Sequence, residues 1–323
     1  MKTAIKTLTC LLVAASSLGA AAQDHYPSKP IKVVIPFPPG GAVDTMIRTM
    51  GPQLSAELGQ PVVVDNRPGG GAQIGAAAVT GAPADGYTVF LAEVGSYAIN
   101  PSLYKKLSYQ PTRDFDGVAM LAIAPMVMYS SSSGKLTNLQ ALKDAMTNGK
   151  DLNYGSFGPG TAPHILGHLL ATSTPKAHLT HVPYKGAPPA IQAIMANEID
   201  LLFDAMPGTL NMVRGGKGVP LAVASDKRSE FLPQVPTTAE IGYPAMKMDM
   251  WIGAAVKKGT PVAIVDRLHN AFEKVLAQPE VWKKFSEFGY SRTAMSPAQF
   301  QAFVDSEISR FRPTILATGV VVD

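Results

Sequence analysis

The feature that most constrains this chain is a repeated alternation of a short apolar strand, a loop rich in glycine and proline, and a helix. In its first instance, the β-branched run at residues 31–35 ends at Pro36, and a helical pattern begins at Asp44 and continues to Leu58. Further strands are predicted at residues 62–64, 88–91, 152–155, 181–184, 201–203 and 220–225. Strands that alternate with helices favour parallel βαβ units and therefore an α/β fold.

Two longer apolar runs divide this alternation into two groups. Residues 118–128 and 248–256 are long for ordinary strands and too short to span a membrane. They suit strands that cross between two domains, and the length of the chain also exceeds the usual size of one core. We expect domain 1 to comprise residues 23–122 and 250–323, and domain 2 to comprise residues 123–249. Each would be a mixed or parallel sheet flanked by helices, with ligand bound in the cleft between the domains.

Residues 1–22 have the pattern of a secretory signal peptide. Lys2 and Lys6 form a basic start, a short apolar core follows, and small residues precede Gln23. Cys10, the single cysteine, lies inside this peptide, so the mature chain would have no disulfide, cysteine-ligated metal or reactive thiol. Without the two lysines, the 28 basic residues become 26 against 24 acidic residues. We therefore expect an exported protein of nearly balanced charge.

Charge and motif content exclude several classes of function. No run of basic residues is longer than two, so we expect no nucleic-acid surface. A dinucleotide fingerprint that begins at Gly69 would need glycine where Ile74 stands, and no phosphate-binding P-loop pattern occurs. A hydrolase nucleophile turn needs glycine two residues before the serine, where Ser96 has Val94 and Ser156 has Tyr154, and we expect no base placed to activate either serine. These absences favour binding without chemistry and without a cofactor.

The loops at the strand ends form the main candidate site. Each is short and contains glycine, proline, serine or threonine, and together they would present a ring of backbone donors and hydroxyls. They cover residues 36–44, 67–73, 93–96, 155–161, 184–187 and 204–208. Glu93 would repel an anion in such a site unless it is neutralised or turned away. Lys185 either compensates its charge or, like Glu93, simply faces solvent.

Other polar residues each allow two interpretations. His164 and His168 share a helix face, and together they could bind a metal. Alternatively, His164 lies in the first turn and contacts a ligand or a loop. Because no third ligand is evident, we expect no metal. Asp44 and Arg48 are spaced for a salt bridge at a helix N-terminus, where the dipole favours a carboxylate. Asp204 either orients a loop or accepts a hydrogen bond from a ligand.

The loop sequences together resemble one family over nearly the whole mature chain. They are IPFPPGGAVDTMIR, VDNRPGGGAQIGA, APADGYTVF, INPSLYKKLSY, HVPYKGAPPAI, FDAMPG, DKRSEFLPQVPTTAE and GTPVAIVDRL. This set resembles the substrate-binding receptors of tripartite tricarboxylate transporters, the TctC or Bug family. The resemblance implies a two-domain periplasmic binding protein, type II-like in fold. It would capture a small organic carboxylate and deliver it to a membrane permease, and we expect it to be a monomer.

The resemblance also implies a set of ligand contacts from both domains. From the first domain these are Phe37, Pro39, Gly40, Gly41, Ala42, Val43, Asp44, Gly71, Ala72, Gln73 and Ser96. From the second domain they are Phe157, Gly158, Gly160, Thr161, His164, Lys185, Asp204, Ala205 and Met206. In this family such loops typically hold a ligand carboxylate through backbone amides, hydroxyls and bridging waters.

This chain departs from the family pattern at three positions. Glu93 and Tyr97 stand in a segment that often holds small residues and histidine, and His168 stands where glutamate is frequent. Tyr97 could stack on an aromatic acid, or Glu93 could accept from an amino or hydroxyl group, and neither suits plain citrate. Two other functions stay open: a ligand-binding subunit of an extracytoplasmic sensor, and an exported hydrolase that uses Ser96 or Ser156.

Overall fold

The computed structural model describes residues 26–174 and 176–322, so the predicted signal peptide and Cys10 lie outside the described residues. The strands are β1 (Ile31–Ile35), β2 (Val62–Asn66), β3 (Thr88–Glu93), β4 (Phe115–Ser131), β5 (Asp151–Ser156), β6 (His178–Pro183), β7 (Leu201–Ala205), β8 (Gly218–Val223) and β9 (Asp249–Lys257). The α-helices are α1 (Ala42–Leu58), α2 (Gln73–Thr80), α3 (Asn100–Leu103), α4 (Pro111–Asp114), α5 (Leu139–Thr147), α6 (Ala162–Ser173), α7 (Ala187–Met195), α8 (Met206–Arg214), α9 (Val262–Leu276), α10 (Pro279–Ser286) and α11 (Pro297–Ala317).

All the described strands belong to one mixed sheet in the order β2-β1-β3-β9-β4-β7-β5-β6, with β8 paired to β4. Strand β1 pairs in parallel with β2 and β3, and β5 pairs in parallel with β6 and β7. Strands β4 and β9 run antiparallel to their neighbours. The predicted α/β class with a mixed sheet is therefore confirmed.

Two long strands join the two parallel groups. Strands β4 and β9 pair from Phe115 opposite Lys257 to Pro125 opposite Asp249. Beyond Pro125, β4 leaves β9 and pairs with β7 and β8. The apolar runs predicted to cross between domains lie in these two strands, except for Met248, which immediately precedes β9. The boundaries of the two domains stay a prediction. The first boundary, between residues 122 and 123, falls inside β4, which continues without a break.

Packing of one apolar face explains why α1 forms where the pattern predicts it. Val43, Met46, Ile47, Met50 and Leu54 recur at helical spacing and are buried against the sheet. Among the described residues, no helix is both long and apolar enough to cross a membrane.

Three local predictions need correction. The helix expected to begin after an N-cap at Thr260 begins at Val262, because the Thr260 hydroxyl donates to the Lys257 carbonyl (2.7 Å) and does not cap. The expected loop 204–208 is instead the end of β7 followed directly by α8. Helix α10 and a π-helical turn at Gly95–Ile99 were not predicted.

Candidate functional site

The main cavity opens where the carboxyl ends of the parallel strands meet. It has a volume of about 510 Å³ and is lined by residues that end or follow β1, β3, β5 and β7. Neighbouring parallel strands place these ends at one edge of the sheet. Met126 of β4 and Met250 of β9 form its floor beside the point where the two long strands separate.

Four helices begin at this cavity. The residues that immediately precede α1, α6, α7 and α8 are Gly41, Thr161, Gly186 and Ala205, and all four line the cavity. None of these helices has a hydrogen bond from a capping side chain. The first amides of a helix lack partners inside the helix, and they carry partial positive charge. The cavity therefore gathers several sites that favour an anion.

Asp44 shapes the first of these helix ends from within the protein. Its carboxylate accepts from the Gly40 amide, from Arg48 Nε and from Asn66 Nδ2, each at 3.0 Å. Burial acts to raise the pKa of the Asp44 carboxyl, but these hydrogen bonds outweigh it and hold that pKa below its usual value. Gly40 adopts a left-handed conformation (φ +88°), which glycine permits without strain. Asp44 thus fixes the loop in position through its own hydrogen bonds.

Two other acids line the cavity without a cation beside them. Glu93 ends β3 and is partly exposed to the cavity, whereas Asp204 in β7 is buried. Burial raises the pKa of each carboxyl to about 7, although the amides of Gly95 and Ala205 donate to them and oppose the shift. Within residues 26–174 and 176–322, neither carboxyl forms an ion pair.

A histidine cluster lies behind the loop that follows β5. The ring of His164 stacks on that of His181 at 4.2 Å between centroids, and His164 Nδ1 accepts from the Gly160 amide (3.1 Å). Burial, with the nearby His181 and His168, lowers the pKa of His164 to about 4, so the ring is neutral at pH 7. In the described part of the chain, no group of three histidine or acidic side chains is arranged to hold a metal. His164 therefore supports the loop and does not reach the cavity.

The two serines considered as nucleophiles are both buried away from the cavity. Contrary to the expectation that no base lies near them, a hydrogen bond of 2.7 Å joins Ser156 Oγ to His181 Nε2. Ser156 also exchanges hydrogen bonds with Gly158 across the loop and has no exposed surface. Ser96 is 2 % exposed. Neither hydroxyl is open to a substrate in this structure.

The structure brings about half of the predicted contacts to the cavity wall. Those on the wall are Phe37, Gly40, Gly41, Ala42, Val43, Asp44, Glu93, Phe157, Thr161, Asp204 and Ala205. Those off the wall are Pro39, Gly71, Ala72, Gln73, Ser96, Tyr97, Gly158, Gly160, His164, Lys185 and Met206. Exposure explains two of the latter, because Pro39 and Lys185 face solvent outside the cavity.

The remaining residues off the wall are held by contacts inside the protein. The Gly71 carbonyl accepts from Asn100 Nδ2, and Gln73 Oε1 accepts from the Ser108 amide. Ala72 and Met206 are buried in the core. Gly158 and Gly160 belong to the loop that Ser156 and His164 brace from behind.

Tyr97 is the clearest correction. The π-helical turn that contains it directs the ring into the core, where it stacks on Trp251 at 5.6 Å. Its hydroxyl donates to the carbonyls of Phe90 (3.1 Å) and Gly253 (3.3 Å). Tyr97 is 2 % exposed, so it does not stack on a ligand in this structure.

Sequence reasoning missed one wall of the cavity altogether. It is formed by α10 and the turn after it, through Lys284, Phe285, Phe288 and Tyr290. The spacing of Val281 and Phe285 gives the face of a short helix, but nothing in the sequence directs that helix toward loops more than 70 residues away. Other missed wall residues are Thr45, Met46, Thr49, Met126, Ala162, Pro163, Pro188, Ile191, Asn211 and Met250. The wall also includes residues of the predicted strand-end loops that were not named individually as contacts, namely Pro38, Gly186, Ala187, Pro207 and Gly208.

A mixed sheet flanked by helices, with a cleft where its two parallel groups meet, defines the periplasmic binding protein fold. The chain belongs to the receptor family of tripartite tricarboxylate transporters, because the TctC family model matches residues 46–320. The resemblance noted in the sequence is thereby confirmed.

Individual relatives agree with this assignment. A protein of Pseudomonas sp. strain P51, named for the tcbD-tcbE intergenic region, is 35 % identical over 308 residues, covering 95 % of this chain and 91 % of the relative. A solved Rhodopseudomonas palustris protein with adipate has a TM-score of 0.86 and 31 % identity, covering 92 % of this chain and 99 % of its own. MatC from the same organism, with bound malate, has a TM-score of 0.83 and 29 % identity, covering 90 % of this chain and 100 % of MatC.

Proposed function

We propose that this chain is a periplasmic receptor that binds a small organic carboxylate in the main cavity and delivers it to a membrane permease. The observation that carries the proposal is the convergence of four uncapped helix N-termini on one cavity. Such ends bind anions through the helix dipole and through the amides that remain free. Prolines in the first turns of α6, α7 and α8 have no N–H, so these ends offer fewer amides than α1 does. Solved relatives hold malate and adipate, and the family is one of transporter receptors.

The cavity offers amides where an ion pair might be expected. Lys284 is the one cationic side chain on the described wall, and it is exposed on α10. A hydrogen bond to a charged group contributes about 1.5–3 kcal/mol, so a few amides are sufficient for useful affinity. The ligand would leave unchanged, because Ser156 and Ser96 are buried away from it. This supports a receptor without catalytic activity.

Export and release complete the proposal. The pattern of residues 1–22 predicts a cleavable signal peptide, which would place the mature chain in the periplasm. We expect it to act there as a monomer. We expect the cleft to close on the ligand by bending in β4 and β9, which join the two parallel groups of strands. Release to the permease would reverse this movement.

Ligand binding by purified protein tests the proposal directly. We would measure thermal unfolding and calorimetric binding across mono-, di- and tricarboxylates and amino acids, with neutral amides as controls. Binding of at least one acid is expected to raise the melting temperature. A flat response to every acid would refute the proposal.

A matched pair of variants tests whether the helix ends bind the anion. Ala42→Asp places a carboxylate in the first turn of α1, on the cavity wall. Ala298→Asp makes the same change in the exposed first turn of α11, away from the cavity. An acid there suits the helix dipole, so both variants should fold. Only Ala42→Asp should lose affinity, and equal affinity in the two would contradict the assigned site.

A further inference from the structure

The polar groups of the cavity differ in charge from one part of its wall to another. Uncapped helix ends favour an anion, whereas Glu93 and Asp204 carry carboxyls with no cation beside them. A second carboxylate that reaches the part of the wall near Glu93 or Asp204 would meet a carboxyl without a cation. That part of the wall therefore disfavours a second negative charge.

Gly95 leaves room for the carboxyl of Glu93 and donates its amide to it. A Cβ on Gly95 would lie 2.7 Å from Glu93 Oε1 and 3.4 Å from the Gly160 carbonyl oxygen. The carboxyl thus occupies space that a side chain at position 95 would take, beside the loop after β5. Its partner is the Gly95 amide, and no cation among the described residues pairs with it. The carboxyl keeps acceptor capacity that a ligand can use.

Asp204 is less available than Glu93. Its Oδ1 accepts from its neighbour's amide, Ala205 N, at 2.8 Å. A Cβ on Gly208 would lie 1.9 Å from Asp204 Oδ2, so the start of α8 covers this oxygen. Asp204 is 8 % exposed, whereas Glu93 is partly exposed. Of the two acids, Glu93 is the better placed to accept a hydrogen bond from a ligand.

Much of the rest of the wall is apolar or aromatic, although Thr45, Thr49, Asn211 and Lys284 also line it. Four phenylalanines line it: Phe37 and Phe157 from strand-end loops, and Phe285 and Phe288 from α10 and the turn after it. A cavity of about 510 Å³ is within the range of small-molecule sites and has room for a ring. An apolar ligand body would be stabilised there by about 25 cal/mol for each Å² removed from water.

We propose that the preferred ligand is a monocarboxylate with an apolar, ring-sized body and a hydrogen-bond donor that Glu93 accepts. This rests on the proposed function and specifies its ligand class. The carboxylate lies at the helix ends, the ring lies among the phenylalanines, and a hydroxyl or amino group faces Glu93. Dicarboxylates and tricarboxylates bind more weakly, because their second charge meets Glu93.

Calorimetry with matched acids tests this ligand class. The probes are benzoate, 3- and 4-hydroxybenzoate, 3- and 4-aminobenzoate, adipate, malate and citrate. For the wild type, at least one hydroxybenzoate or aminobenzoate should bind about tenfold or more tighter than benzoate, as expected for one hydrogen bond to a charged group. That compound should also bind more tightly than adipate, malate and citrate. Tighter binding of any of these three would overturn the proposal.

Variants at the two acids assign the preference to one residue. Glu93→Met keeps the approximate size but removes the acceptor, so it should abolish the gain over benzoate, leave benzoate binding in place and improve adipate binding. Glu93→Gln should keep part of the gain for a hydroxyl. The assignment would be overturned if Glu93→Met weakened the binding of all acids equally. It would also be overturned if Asp204→Asn, and not Glu93→Met, lost the preference for the hydroxybenzoate or aminobenzoate over benzoate. Failure of every acid to bind the wild type would instead count against the receptor function itself.

Discussion

Replacement of Glu93 by glutamine in the ligand-free protein tests whether this carboxyl is uncompensated. In the folded protein, burial raises the pKa of Glu93 from its usual 4.5 to about 7. The folded state therefore binds a proton more firmly than the unfolded state between these two values. It follows that wild-type stability falls as pH rises from about 4.5 through 7, and that the full penalty is present above 7.

The size of this effect follows from the shift. Each pKa unit corresponds to 1.36 kcal/mol, so the rise to about 7 gives roughly 3 kcal/mol as an upper value. Glu93→Gln removes the titration and should gain that amount relative to wild type between pH 4.5 and 8. For a chain of this size, it would raise the melting temperature by several degrees at pH 8. Tyr109, which lies near Glu93, stays protonated throughout, because burial raises its pKa well above this range.

Thermal unfolding at a series of pH values between 4.5 and 8 measures the difference. The difference between variant and wild type isolates Glu93 from the other groups that titrate in this range, including Asp204 and His164. Glu230→Gln, which makes the same substitution at an exposed position outside the cavity, is the matched control. If the difference between Glu93→Gln and wild type is constant across the series, the account of an uncompensated buried carboxyl is wrong.

Three further substitutions test the packing around the site by urea unfolding. Asp44→Asn should destabilise by about 2 kcal/mol, because it weakens charged hydrogen bonds that include the one from the Gly40 amide. Gly208→Ala should destabilise by about 1–3 kcal/mol, because the new Cβ would lie 1.9 Å from Asp204 Oδ2. Gly51→Ala should stabilise by about 0.5–1 kcal/mol, because this glycine is inside α1 and no atom lies within 4 Å of the added Cβ. The opposite sign in any of them would contradict the local geometry.

Local patterns in the sequence predicted the elements that pack through one regular face. Strand β1 and helix α1 begin and end within two residues of their predicted bounds, because their apolar spacing and the Pro/Gly loop between them act locally. The long apolar runs at 118–128 and 248–256 also indicated long strands, and the structure has β4 and β9 there. A crossing between two domains stays a prediction. These elements set the sheet and thereby one edge at which the strand-end loops gather.

Tertiary packing decided the parts of the site that the sequence did not reveal. Tyr97 lies in a loop-like segment, but a π-helical turn and the partners Trp251 and Gly253 place it in the core. Helix α10 is short and amphipathic, and its position over the cavity depends on its packing against α9 and α1. Lys185 was expected to face the ligand, yet the cation on the wall is Lys284. No local pattern distinguishes these two lysines.

A missing helix cap does not by itself identify the site. Helices α9 and α10 also begin without a capping side chain, and neither helix N-terminus lines the cavity. By contrast, α11 has a complete capping box from Ser296 and Gln299. A cap contributes about 1 kcal/mol, so each uncapped helix forgoes that stability. What distinguishes the cavity is that four such ends converge on it. Because their loops are fixed by internal bonds, such as those of Asp44 and His164, the amides are ordered before an anion arrives. A ligand then loses little affinity to ordering the loops.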